Sequence, residues 1–448
     1  STRNLIHICV GIVVSVCPFI FKVNIQLILL SIIFIIVNSF LFKKDLGKSM
    51  NKVERESYGT IYFPISILFL SFFFWDKPIS FFLAVCVLSF ADPIASIAGK
   101  RSNDHFYPWK DKKSPEGSIA MFCASFLIIA IGTDVMARLF SANFYLPFHI
   151  LIGLAFFTAL CSTASEMISY KGSDNITIPL ITFFSYEIFL INYTHGTLNQ
   201  LIVWLILSVL IFSTAYRFKS LNFSGALGGF LIGILIFGSG GWLLIAPLVF
   251  FFVSSSLLST MKNKPPSQRD ILQILANGGL PAFFALSYFF FKEPVFLIGF
   301  LGSLSASTAD TWATEIGFLS KKRPYLIFTS SQVDKGTSGS ISLLGTLSSV
   351  VGAFFIGLIS YFILEIEHTI ELITFAGCIG SFIDTILGRY IQGKFYCVNS
   401  NVTVEHRYQN GSENALISGF KWIDNNLVNF TANLSGAVVS IVIISVYG

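Results

Sequence analysis

Four carboxylates stand where a carboxylate is costly. Asp92, Glu166, Asp310 and Asp384 each lie inside a long apolar run, and acids within a bilayer mark function by default. Small polar residues recur around two of them: Ser89, Asp92, Ser96 and Gly99 in one run, and Ser303, Ser307, Asp310, Thr314 and Gly317 in the other, with Glu315 on its flank. Steps of three and four residues place each set on one helix face. Ser162, Glu166 and Ser169 form a shorter stripe, as do Ser381, Asp384 and Gly388. Carboxylates near the end of a span, beside lysines and small polar residues, suit a magnesium-bound phosphate. Magnesium takes hard oxygen ligands, commonly one or two carboxylates plus phosphate oxygens. Asp92 and Asp310 are the expected metal ligands.

Each long stripe runs into a basic loop and then a second polar motif. The first loop begins at Lys100-Arg101 and ends in Lys112-Lys113-Ser114-Pro115-Glu116-Gly117-Ser118. The second ends in Lys335-Gly336-Thr337-Ser338-Gly339-Ser340. Gly117-Ser118 and Gly339-Ser340 are expected to open the spans that follow, where free backbone N–H groups and the helix dipole favour phosphate. Lys112, Lys113 and Lys335 would neutralise a transferring phosphoryl group. Neither loop is a GxxxxGK[ST] or GxGxxG motif, so a P-loop fold is not expected. The expected catalytic set is Asp92, Lys113, Glu116, Glu166, Asp174, Asp310, Glu315, Lys335 and Asp384. The expected phosphate and nucleotide contacts are Ser96, Lys100, Arg101, Lys112, Ser114, Gly117, Ser118 and Asn175 in the first half. In the second half they are Thr314, Thr337, Gly339, Ser340, Arg389, Asn425 and Asn426.

The motifs form two copies. Asp92 and Asp310 share a spacing of 218 residues with Gly99 and Gly317, and again with Glu166 and Asp384. Ser118 and Ser340 pair at 222, which makes the second loop four residues longer. Asp174-Asn175 and Asp424-Asn425-Asn426 close the two halves. The spacing covers an even number of spans, so the repeats are expected to be parallel, with both sites on one side.

The elements that must carry these groups are membrane helices. The chain is 54% hydrophobic and 12% charged over 448 residues, against about 25% charged in soluble domains. Apolar runs fill it almost end to end. An all-α polytopic protein with about fifteen transmembrane helices is expected, at 5–21, 24–42, 60–75, 78–98, 117–137, 147–169, 176–192, 199–216, 223–238, 241–259, 271–290, 294–318, 337–363, 369–388 and 428–446. With the N-terminus cytoplasmic, all of the 29 Lys and Arg except Lys22, Lys77, Arg138 and Lys292 fall on the inside. The net charge of +5 then reflects topology, and nucleic-acid binding is excluded. The seven Cys have no metal-ligand or disulfide pattern. Leu5–Phe21 lacks an A-x-A-like site and is expected as a first span. His7 is expected to pack rather than react.

Residues 1–195 resemble the dolichol kinase and phytol kinase family, itself related to phosphatidate cytidylyltransferases. The resemblance rests on Arg3 and His7, the Asp92–Gly99 stripe, Lys113–Ser118, Glu166, and Asp174-Asn175 followed by Pro179. Residues 196–448 resemble the phytyl-phosphate kinases of plants and their relatives. Here it rests on Gln273 with Ala276–Gly279, Ala309–Gly317, Gly339–Leu343, Gly380-Ser381 with Asp384 and Gln392, and Trp422 with Asn425-Asn426 and Val428-Asn429. Those relatives often carry a second Cys near Cys397, where this chain has Glu405-His406-Arg407. The resemblance implies two-step phosphorylation of a prenol to its monophosphate and diphosphate, with CTP as donor and Mg²⁺ as cofactor. Glu166 or Asp174 would be the base for the prenol hydroxyl, and Arg389 and Lys421 would meet the anionic acceptor. The implied partners are the lipid bilayer, prenol and prenyl-phosphate substrates and a nucleoside triphosphate, with a homodimer left open. The implied location is a bacterial or archaeal cytoplasmic membrane. The rivals are CMP transfer to a lipid phosphate and secondary transport.

Overall fold

The computed structural model describes residues 2–44, 57–102, 113–140, 146–261, 268–397, 402–405, 407–409 and 412–447. Lys112, an expected phosphate contact, lies outside them, as does His406. The protein is nearly all helical. Eleven helices among the described residues are long and apolar enough to cross a membrane. Every expected span has a helix at its position. The chain divides into two compact units, 1–203 and 204–448.

The first unit holds α1 (Thr2–Ile20), α2 (Ile25–Lys43), α3 (Gly59–Phe73), α4 (Pro78–Cys86), α5 (Asp92–Lys100), α6 (Pro115–Phe140), α7 (Phe148–Met167) and α8 (Asp174–Thr194). Residues Val87–Ala91 between α4 and α5 form a π-turn, so α4 and α5 make one broken span. α6 packs on α5 and α7, and α8 packs on α3, α4 and α7. Phe81, Leu83, Leu88, Met121 and Leu154 are fully buried between them. α2 is apolar all round, and Leu29, Ile33 and Ile36 stay exposed, as suits lipid contact.

α9 (Leu198–Arg217) leads into the second unit. α10 (Phe223–Thr260) has 38 residues and would run about 57 Å if straight, nearly twice the hydrocarbon thickness. It breaks at Gly240 (φ −157°, ψ 15°) and Gly241 (φ 62°, ψ −147°), between the expected spans 223–238 and 241–259. Then follow α11 (Ile271–Phe291), α12 (Pro294–Gly317), α13 (Leu343–Leu364), α14 (Thr369–Tyr390) and α15 (Asn425–Tyr447). α12 is the hub and packs against α10, α11, α13, α14 and α15. Small residues allow that crowding. A methyl on Gly302 would meet Ser440 and the Gly436 carbonyl, and one on Gly377 would meet Ser305.

The loops of the second unit add short strands to the helical bundle. β1 (Tyr325–Leu326) pairs antiparallel with β2 (Ser340–Ile341). β3 (Lys394–Cys397) lies between β4 (Val402–Val404) and β7 (Ala415–Ser418), and β5 (Tyr408–Gln409) pairs with β6 (Ser412–Glu413). Phe395 and Cys397 are buried while Tyr396 is exposed, the two-residue alternation of a half-buried strand.

Candidate functional site

In the first unit the centre is Lys113. It sits just before α6, and its Nζ donates to Glu166 Oε1 on α7 at 2.5 Å, with both side chains largely buried. Asp174 and Asp92 also act on its charge. Burial works against that charge, yet Glu166, Asp174 and Asp92 together raise Lys113 above the usual lysine pKa. Four expected residues from four places in the chain are thus brought together. Asp174 opens α8, where its Oδ1 accepts from the Asn175 backbone N–H (2.9 Å) and from Asn175 Nδ2 (2.8 Å). Asn175 is fixed in turn by Ser66 Oγ, which donates to its carbonyl at 3.0 Å.

The stripe around Asp92 does not hold its expected register. Pro93 has no N–H to continue an α-helical ladder, and its ring would clash with the preceding turn. The chain answers with the π-turn at Val87–Ala91, immediately before Asp92. Such bulges concentrate at functional sites. Five residues before Pro93, the Leu88 carbonyl accepts instead from His7 Nε2 at 3.3 Å. The wider turn rotates α5, so Ser89 is buried whereas Ser96 and Lys100 are exposed. Ser96, Lys100 and Arg101 therefore do not share the face of Ser89. Glu116 is exposed in the first turn of α6.

The residues that open the two later spans also differ from expectation. Ser114, not Ser118, caps α6: its Oγ accepts from the Gly117 N–H at 3.1 Å. The Ser118 hydroxyl is buried in the first turn with no hydrogen-bond partner among the described residues. In the second unit Ser342 caps α13 by accepting from the Gly345 N–H at 3.1 Å, while Gly339-Ser340 lies before the helix in a turn and in β2. The two caps sit in matching surroundings. A methyl on Gly117 would lie 3.2 Å from the Ala95 carbonyl and 3.4 Å from Gly99 Cα. On Gly345 it would lie 2.9 Å from the Ala313 carbonyl and 3.4 Å from Gly317 Cα. By this packing Ser114 corresponds to Ser342, and the position of Lys113 corresponds to Ile341 rather than to Lys335.

The second unit encloses a cavity of about 1040 Å³. Asp310, Thr314, Glu315, Lys335, Thr337, Gly339, Ser340, Asp384, Asn425 and Asn426 all line it, which gathers every expected site residue of this half except Arg389 and Lys421. Asp310 on α12 and Asp384 on α14 bring their carboxylates within hydrogen-bonding reach of each other. With its amide turned to the orientation that satisfies its surroundings, Asn429 on α15 donates to Asp384 Oδ1 at 3.1 Å and to the Asn425 carbonyl at 3.1 Å. Two ionised carboxylates at that separation repel, and a divalent cation with oxygen ligands relieves the repulsion. The donor set at this point therefore fits Mg²⁺.

One wall of the cavity is the loop Asp334–Ser340. The Thr337 N–H donates to the Asp334 carbonyl and the Ser340 N–H to the Thr337 carbonyl, each at 3.2 Å. Each four-residue turn has a glycine third, Gly336 (φ 88°) and Gly339 (φ 82°), the positive-φ position that a type II turn demands. The strand-bearing loop clasps this wall. Ser338 Oγ donates to Glu405, and Lys394 Nζ donates to the Ser338 carbonyl at 3.2 Å. Arg389 lies behind the wall with its guanidinium over the Tyr390 ring, and Lys421 pairs with Glu413 at 3.6 Å. Neither lines the cavity among the described residues. Arg269, Asn277, Glu405 and Asn429 do, and sequence reasoning gave none of them a site role. Gln273 and Asn277 lie four residues apart on α11, a spacing readable as one helix face, while Arg269 precedes the cap Asp270 and bridges to Leu221.

These features define an integral membrane protein with two polar centres inside helical units. The chain belongs to the DUF92 family of integral membrane proteins, whose model matches residues 206–437. It is 31% identical over 219 residues to an uncharacterized membrane protein of Methanocaldococcus jannaschii, a match covering 47% of this chain and 91% of that one. It is 33% identical over 135 residues to a protein named phytol kinase from Synechocystis, covering 30% of this chain and 54% of that one. It is 26% identical over 262 residues to the chloroplastic protein VTE6 of Arabidopsis thaliana, covering 54% of this chain and 69% of that one. No solved structure matches the chain.

Proposed function

We propose that the protein is a two-step lipid kinase: the first unit phosphorylates a prenol and the second phosphorylates the resulting monophosphate, with CTP as donor in both. The phytol kinase relative supports the class of reaction. The observation that carries the reading is the Asp310–Asp384 pair facing a cavity walled by a glycine-turn loop. The matched caps of α6 and α13 favour two parallel repeats, with both sites cytoplasmic.

In the first unit the prenol hydroxyl oxygen attacks the γ-phosphorus, the bond to the CDP oxygen breaks, and the hydroxyl proton passes to a carboxylate. Glu166 is engaged with Lys113, so Asp174, oriented by Asn175, is the better base. Lys113 faces the developing negative charge. In the second unit the acceptor is already an anion and needs no strong base. Asp310 and Asp384, steadied by Asn429, would hold Mg²⁺ there, and Asp92 would do so in the first unit. When bound, the ion would neutralise charge on the phosphate oxygens.

The test uses purified protein in detergent with Mg²⁺, γ-³²P-labelled CTP and geranylgeraniol. Labelled monophosphate that chases into diphosphate is expected. Asp92→Asn should block the first step, and Asp310→Asn or Asp384→Asn the second. No labelled lipid across a panel of prenols and nucleotides would sink the kinase reading. Pyrophosphate release with a CDP-linked lipid would replace it with nucleotidyl transfer.

A further inference from the structure

We infer that Arg269 and Lys335 form the subsite for the triphosphate of the nucleotide donor in the second unit, at the Gly317 end of α12. The inference rests on the kinase reading of that unit and adds a residue and a direction to it.

Arg269 and Lys335 are the only arginine and lysine lining the cavity among the described residues, against Asp310, Glu315, Asp384, Glu405 and Asp424. They come from different loops and meet the same end of α12. Arg269 interacts electrostatically with Glu315. Lys335 Nζ lies 5.8 Å from the centroid of the Phe318 ring, one residue beyond the helix. Asp310 sits five residues before Glu315, about 7.5 Å deeper along the axis at 1.5 Å per residue. The cations thus mark the outer part of the cavity and the carboxylate pair the inner part. A lipid acceptor keeps its tail in the bilayer, while a nucleotide arrives from water. An anion held at the outer end is therefore the donor's.

Arg269 is built to stay in place. Its backbone N–H donates to the Ser220 carbonyl at 3.2 Å, and its carbonyl accepts from the Asn222 N–H at 3.1 Å. A methyl on Gly225 would fall 2.2 Å from that carbonyl, so only glycine admits this approach. The next residue, Asp270, closes a reciprocal cap with Gln273 at the start of α11. The guanidinium is held too, its Nη2 donating to the Ser255 carbonyl at 3.4 Å, and its other N–H groups are left for phosphate oxygens. A cation needed only for membrane orientation would have no use for such anchoring or for a place on a cavity wall.

The experiment measures steady-state phosphorylation of geranylgeranyl monophosphate by the full-length protein in detergent with Mg²⁺. Arg269→Gln should raise the KM for CTP at least tenfold. It should leave the KM for the lipid and the kcat within about twofold, and Arg269→Lys, which keeps the charge without the fork, should recover only part of the loss. With the wild-type protein, inorganic triphosphate should compete with CTP and not with the lipid. A raised lipid KM with CTP unchanged would overturn the assignment, as would competition of triphosphate against the lipid or an Arg269→Gln enzyme with unaltered constants. Where Arg269→Gln fails to fold, Lys335→Gln in the same assay carries the test, with a raised CTP KM expected and unaltered constants overturning the assignment. A wild type inactive on every prenyl monophosphate sinks the kinase reading and this subsite together, whereas an active wild type with an unaltered variant sinks the subsite alone.

Discussion

Replacing Lys113 by Met strands a carboxylate. Lys113 and Glu166 are in contact at 2.5 Å, with side-chain exposures of 17% and 9%. Losing one member of a buried pair costs about 3–5 kcal/mol, because the other charge is left desolvated and uncompensated. Lys113→Met and Glu166→Gln should each destabilise the protein by about 3 kcal/mol on that scale. The double variant strands neither of these charges and should cost little more than either single one. The two changes should therefore couple by about 2–3 kcal/mol, at the upper end for residues in contact. Asp92 and Asp174 also act on Lys113, so adding Asp92→Asn to Lys113→Met should recover part of the loss. Equilibrium unfolding in mixed detergent micelles, followed by tryptophan fluorescence and closed as a double-mutant cycle, measures these terms. Singles that cost under about 1 kcal/mol, or effects that simply add, would refute the claim that this pair is a desolvated charge centre. The pH dependence follows from the raised pKa of Lys113. A lysine raised in the folded state contributes its stability fully below its unfolded value of about 10.4 and loses it as pH climbs through the higher folded value. The gap between wild type and Lys113→Met should hold steady from about pH 7 to 9 and close only at still more alkaline pH.

Three further outcomes are expected. Ser342→Ala removes the acceptor for the Gly345 N–H and should cost about 0.5–2 kcal/mol in the same unfolding assay. Gly339→Ala places a methyl 2.4 Å from Arg389 Cβ at a φ of 82°, so it should displace the turn loop and slow the second phosphorylation more than tenfold while sparing the first; equal loss in both steps would argue against a separate second site. Gly241→Ala forces a side chain into a conformation reserved for glycine and should cost about 1–3 kcal/mol, measured by unfolding.

The spans were legible because long apolar runs have few alternatives, and the acids Asp92, Glu166, Asp310 and Asp384 stood out because charge is rare in those runs, Glu315 and Glu371 being the other acids in them. What escaped is geometry that spacing does not encode. Stripe counting assumes a uniform helix, and Pro93 breaks that assumption one residue after Asp92. Gly117-Ser118 and Gly339-Ser340 look alike as dipeptides, but their φ angles and caps differ, and only packing against Gly99 and Gly317 pairs Ser114 with Ser342. Arg269 resembled one more cation of a basic loop. Its place on the cavity wall depends on bonds to Ser220 and Asn222, residues nearly fifty positions away. The strand-bearing loop carries β-branched and aromatic residues in runs too short to separate from coil by pattern alone.

The break in α10 bears on topogenesis. Asn222 and Arg269 can bond only if the chain comes back to the side it left between them, so α10 must cross twice. Gly240 and Gly241 thus act as a parity element. A straightened helix would cross once and thread every later segment in the opposite sense, so that the Gly317 end of α12 and its cavity mouth would emerge across the membrane. Two residues without side chains decide on which side of the membrane the cavity mouth opens, and cysteine accessibility at positions after α10 would register the inversion directly.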